Sequence, residues 1–228
     1  MNRPFQFAIA FSMLTSSASA QVFSLLADNR EIHAEASLNG MMAQDTRGPG
    51  APFAPYGDGQ VIELTNGGSL SRAFNSHSTT VGISVMGGNG SASGRTTLTT
   101  AGQADSFSSS LFSIDFELSS TTSVRLETFI GTQGLGGTTT TDLVTDTGAS
   151  HFHLTVSDGA SDSGVAFLKL LPGKYTFTML SEATRSFTTP HPTDLTVATY
   201  VGELKIIPAP ATLALLAGGI LCARGRRR

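Results

Sequence analysis

The chain has 228 residues, enough for one domain of ordinary size, with 14% charged residues, 25 glycines and no tryptophan. Its formal charge of −3 is unevenly spread: Arg3 lies near the start, four arginines lie in the last five residues, and the stretch between holds nine basic against seventeen acidic groups, a net −8. So acidic a middle is repelled by phosphate backbones, which argues against nucleic acid as a partner, and the single Cys222 excludes an intramolecular disulfide.

In chain order, Arg3 is followed by an apolar run from Phe5 to Leu14 and then by Ala18-Ser19-Ala20. A short positive region, a short apolar region and a small-x-small site make a secretory signal peptide over 1–20. Signal peptidase is expected to cut after Ala20 and leave Gln21 as the new terminus. The apolar run is too short to cross a bilayer, which needs about 20 residues.

Residues 21–207 read as strands. The candidates are Glu31–Leu38, Gln60–Thr65 and Val81–Met86, then the alternating runs Phe112–Leu118, Val124–Ile130 and Phe152–Val156, then Gly164–Leu170, Tyr175–Met179 and Leu195–Ile206. Side chains of a strand point alternately to opposite faces, so period-two alternation gives each run one apolar face and one wet face. Turn residues fall between them at Asn66-Gly67-Gly68, Gly87-Gly88-Asn89-Gly90, Gly134–Gly137, Ser157-Asp158-Gly159 and Pro172-Gly173. Three prolines within residues 48–57 (Pro49, Pro52 and Pro55) make that stretch an extended loop, read here as an insertion within one domain. The expectation is an all-β, antiparallel β-sandwich of jelly-roll-like form.

Candidate sites within it are sparse. His151 and His153 share a strand face, but zinc needs three or four ligands, so they read as outward polar residues. Residues 158–164 (Asp-Gly-Ala-Ser-Asp-Ser-Gly) suggest a calcium loop without the spacing of an EF-hand, and read as a turn. Glu117 and Glu127 are a conceivable glycosidase pair, although alternation makes both solvated surface. Without tryptophan, sugar platforms are limited to Tyr56, Tyr175 and Tyr200 and to phenylalanines that alternation mostly buries. No cofactor, metal site or catalytic set is expected. A carbohydrate- or calcium-dependent binding module and a secreted hydrolase stand as alternatives to a non-enzymatic role.

The chain closes on Pro208-Ala209-Pro210, an apolar run from Ala211 to Ala223, and Arg224, Arg226, Arg227 and Arg228. The apolar run favours a helix, and terminal arginines hold such a segment's end on the cytoplasmic side. This order resembles the PEP-CTERM sorting signal recognised by exosortases, with Ala209 standing where that family usually has glutamate. The resemblance covers about 22 residues. It implies a short transmembrane helix held in the inner membrane, recognition at Pro208, Ala209 and Pro210, stop-transfer by the arginines, and processing by an exosortase-like enzyme. It further implies an exported cell-surface or extracellular-matrix protein, with extracellular polysaccharide as an expected partner.

Overall fold

Alternating burial runs through thirteen strands in the computed structural model, which describes residues 22–208. They are β1 (Ser24–Asp28), β2 (Glu31–Leu38), β3 (Met41–Arg47), β4 (Tyr56–Asn66), β5 (Ser69–Val81), β6 (Val85–Leu98) and β7 (Ala104–Leu118). There follow β8 (Thr122–Gln133), β9 (Gly137–Thr145), β10 (Ser150–Ser157), β11 (Ser161–Leu170), β12 (Gly173–Phe187) and β13 (His191–Ile206). No helix occurs among the described residues. The predicted C-terminal helix, with Ala209, Pro210 and the four arginines, lies outside them, as do Ala18, Ala20 and Gln21.

The strands form two antiparallel sheets packed face to face. One has the order β10-β9-β12-β7-β2-β3 with β1 added to β7, and the other has the order β11-β8-β13-β6-β5-β4. From β6 onward the chain alternates between sheets, except at the β9–β10 hairpin, so that β6 pairs with β13, β7 with β12, β8 with β11 and β9 with β10. The proline-rich loop carries the chain from β3 in one sheet to β4 in the other.

The interior is graded along the strands. On β7 the inward side chains are Phe112, Ile114, Phe116 and Leu118 at one end, but Ser106, Ser108 and Ser110 further back, all buried. β12 repeats the pattern, with Tyr175, Phe177 and Met179 giving way to Ser181 and Ala183. The aromatic end is a conventional apolar core that includes Leu126, Tyr200 and Leu204. In the hydroxyl-lined part the sheets are hydrogen-bonded to each other through side chains. Ser108 Oγ donates to the carbonyl of Ser93 at 2.9 Å, Asn75 Nδ2 donates to the carbonyl of His33 at 2.8 Å, and the hydroxyls of Thr128 and Thr141 are 3.0 Å apart. Ser71 Oγ likewise donates to the Asp105 carbonyl.

This grading explains where alternation misleads. β2 has the predicted bounds, and the runs at 112–118, 124–130, 152–156, 164–170, 175–179 and 195–206 all lie within strands. β1, β3, β5, β9 and the first half of β7 carry no apolar alternation that points to a strand. In β5 and in that half of β7 the frame is inverted, with Ser71, Ala73 and Ser108 inside while Phe74 and Phe107 are only half-buried on the outer side. Two expectations are corrected. The predicted strand Val81–Met86 contains the β5–β6 connection, with Val81 and Met86 as register partners across it. The predicted turn Gly87-Gly88-Asn89-Gly90 lies inside β6. There glycine serves close packing, since a Cβ on Gly90 would sit 2.5 Å from Cζ of Tyr200. The loop at 48–57 also ends sooner than expected, because Tyr56 and Gly57 already pair in β4.

The close approach has a testable consequence. Ser108→Leu adds apolar bulk yet is expected to destabilise by about 3 kcal/mol through overpacking and a lost buried hydrogen bond. Ser113→Leu, on the outer side of the same strand, is expected to change stability by less than about 1 kcal/mol. Equal urea midpoints for the two variants would contradict a tightly closed Ser-lined interior.

Candidate functional site

Two features stand out: a sealed polar network inside the sandwich and an open groove on one outer face. The network begins where Asp28 and Arg30 flank the turn between β1 and β2. Arg30 is 2% exposed and its Nη2 lies 2.6 Å from Asp28 Oδ2, while Nη2 also donates to the carbonyl of Ala54 at 2.7 Å. Nη1 donates to Thr79 Oγ1 at 3.0 Å, Thr79 Oγ1 is 3.1 Å from Nε2 of His77, and Nδ1 of His77 is 3.0 Å from both Ser110 Oγ and the hydroxyl of Tyr200. The chain of contacts thus joins the proline-rich loop to the boundary between the apolar and hydroxyl-lined parts of the core.

Burial shapes its electrostatics. Desolvation, reinforced by the Arg30 charge, pulls His77 down to about 4, so the ring is neutral. Desolvation also pushes the Tyr200 phenol well above its ordinary value. Desolvation raises Asp28, but hydrogen bonds from Arg30 and from the Phe53 amide, together with the Arg30 charge, outweigh it and leave the carboxyl below its usual value. Ser110 beside His77 has the spacing of a nucleophile and its base. Yet Ser110 and Tyr200 are 0% exposed and His77 is 2% exposed, so no substrate reaches them and the network is structural.

The groove, of about 760 Å³, lies on the outer face of the six-stranded sheet. Cross-strand register sets Glu127 of β8 directly beside Glu203 of β13, with Gly87 of β6 as the next neighbour. Phe129 and Val201 form the adjoining pair and are 50% and 53% exposed. Arg125 and Lys205 form the pair on the other side, with Arg125 Nη2 2.5 Å from Glu127 Oε2. These side chains suit contact with another surface through charge and exposed apolar area.

The residues singled out from sequence are dispersed. Glu117 is exposed on β7 and Glu127 on β8, in different sheets and on opposite outer faces, so they form no carboxylate pair. His151 and His153 point outward from β10, where His153 Nδ1 is 2.6 Å from Asp142 Oδ1 and His151 lies against the Tyr175 ring. Among the described residues no group of three or more His, Cys, Asp or Glu is placed to hold a metal. Asp158 and Gly159, with φ of 52° and 85°, form the tight turn between β10 and β11, and Asp158 Oδ1 accepts the Gly136 amide at 2.7 Å. Tyr200 is buried and Tyr56 and Tyr175 nearly so, which leaves Phe129 and Phe167 as the exposed aromatic rings of the six-stranded sheet. Pro208 is exposed just beyond β13.

Sequence reasoning missed the His77 network and the Glu127–Glu203 pair. The first left no signal, because β5 buries its polar residues. The second is foreshadowed by Arg125-x-Glu127 and Glu203-x-Lys205, but only register brings those two strands together.

No family model matches the chain, and comparison with curated proteins finds no match. Among solved structures it is similar to the enzymatically active domain of bacteriophage CBA120 tailspike protein 4, at 9% identity and TM-score 0.25 over 51% of this chain and 16% of that one. Infectious bursal disease virus Gx strain is similar at 11% identity and TM-score 0.24, over 83% and 57%, and the GH31 alpha-xylosidase of Xanthomonas citri at 6% and 0.20, over 81% and 32%. The chain spans less than two thirds of each, and likenesses this slight carry no weight for function.

The network predicts a pH dependence. His77 has a folded value below its unfolded one, so its contribution is complete above about pH 6.5 and is lost as pH falls toward about 4, a change of about 3 kcal/mol. Asp28 is depressed too, and its contribution is lost at still lower pH, below the ordinary carboxylate range. Urea unfolding between pH 7 and 4.5 should show a decline in the wild type that His77→Gln removes; parallel curves would refute the assignment.

Proposed function

We propose that this chain is an exported, non-enzymatic β-sandwich of jelly-roll form, displayed at the cell surface or in the extracellular matrix after sorting through its C-terminal signal. The nested pairing of β6 to β13 supports the jelly-roll description. The observation that carries the functional reading is that Phe23 and Ile206, near the two proposed processing points, are bound to neighbouring residues of the β5–β6 connection. Phe23 is 1% exposed and its amide donates to the Ile83 carbonyl at 2.7 Å, and the Ile207 amide donates to the Ser123 carbonyl at 2.8 Å. Both fall just inside the expected processing points at Ala20 and at Pro208-Ala209-Pro210, so cleavage there leaves these bonds in the retained chain. The Ile206 amide bonds to Ser84 at 2.9 Å, beside Ile83. Phe23 and Ile206 therefore sit at one end of the sandwich, and in this reading that end faces the inner membrane before processing. Signal peptidase and an exosortase-like enzyme are the processing partners, and extracellular polysaccharide is the expected surrounding.

Deleting residues 208–228 is expected to divert the protein from the surface fraction into the periplasm or medium. The intact mass of the protein recovered from cells should begin at Gln21 and lack the terminal arginines. An uncut mass, or fractionation indifferent to the deletion, would defeat the proposal.

A further inference from the structure

The outer face of the six-stranded sheet carries its charges in rows across the strands. One row runs Phe167, Arg125, Lys205, Val85, and the next runs Val165, Glu127, Glu203, Gly87, both set by the register of β11, β8, β13 and β6. All four charged side chains are exposed. Phe167 and Val165 are 71% and 56% exposed, so the charged rows are edged by apolar surface.

We propose that this face is the interface of a two-fold homodimer, its occupant a second copy of this chain. A two-fold axis lying in the interface, perpendicular to the strands and between the two rows, exchanges the rows while keeping each strand opposite its own counterpart. Arg125 then faces Glu127 of the second copy and Lys205 faces Glu203, and the symmetry doubles both pairs. The same operation sets Phe167 against Val165, and Val201 against Ile207 one row further out. The relief matches as well. Arg125, Lys205 and Phe167 are long side chains flanking the groove that holds the acidic row, where Gly87 beside Glu203 adds no side chain, and Arg125 already leans toward that row through Glu127 of its own chain. Four strands spaced about 4.8 Å apart, over the nine residues from Ser123 to Gly131, cover about 550 Å² on each copy, which just reaches the ~1,000 Å² total that specific interfaces bury. A uniformly acidic or basic partner would meet one of the two rows with like charge. A surface striped in both signs at the same spacing fits both, and this chain carries one.

Sedimentation equilibrium on the protein recovered from cells is expected to show a dimer that weakens as salt rises. The double reversals Arg125→Glu/Lys205→Glu and Glu127→Lys/Glu203→Lys should each raise the dimer dissociation constant about a hundredfold or more. Mixed in equal amounts, the two variants should form a heterodimer as tight as the wild type or tighter, an outcome that misfolded variants cannot produce. A monomeric wild type overturns the proposal. So do variants that dimerise undiminished, or a mixture that stays monomeric while the wild type dimerises.

Discussion

The two sheets are joined across their middle by hydroxyl and amide side chains that reach the backbone of the opposite sheet, and the remaining packing adjusts to that contact. Ser108 to the Ser93 carbonyl and Asn75 to the His33 carbonyl are short-armed bonds, so the strands that carry them must approach closely. A bond to backbone across the sandwich satisfies the buried hydroxyls of Ser108 and Ser71 without larger residues. Apolar bulk is thereby confined to one end, where Phe112, Phe116, Phe177 and Leu204 fill a wider space. A smaller cluster of Leu38, Leu98 and Ala104 closes the other end.

At the junction of these regions lies the His77 network. Tyr200 reaches across from β13 because Gly90 has no side chain to obstruct it, and its hydroxyl meets both His77 and Ser110. Removing one partner of a buried polar set leaves the others desolvated and unpaired, which is why such sets are held as units. Arg30 extends the unit to the loop between the sheets through Thr79 and the Ala54 carbonyl, so the proline-rich crossover is fastened to the interior.

The outer surface follows different rules. Where the interior is sealed, chemistry needing a substrate has no access, and the exposed features are charge rows, apolar rims and turns.

Much of this was legible in the residues. The all-β character follows from composition and from alternation at Phe112–Leu118 or Val124–Ile130, because a strand with a large apolar inner face announces its frame. The frame of β5 was not legible, since Ser71, Ala73, Asn75 and His77 face inward and Phe74 outward. Nor was the role of the glycines at 87–90, which read as a turn until a neighbouring strand is present to crowd them. By itself the sequence determined that sheets form and where most of their strands run. The tertiary structure decided which small polar side chains lie inside and which charges become neighbours, because both depend on the strand across the interior or across the register, and no local pattern specifies that partner.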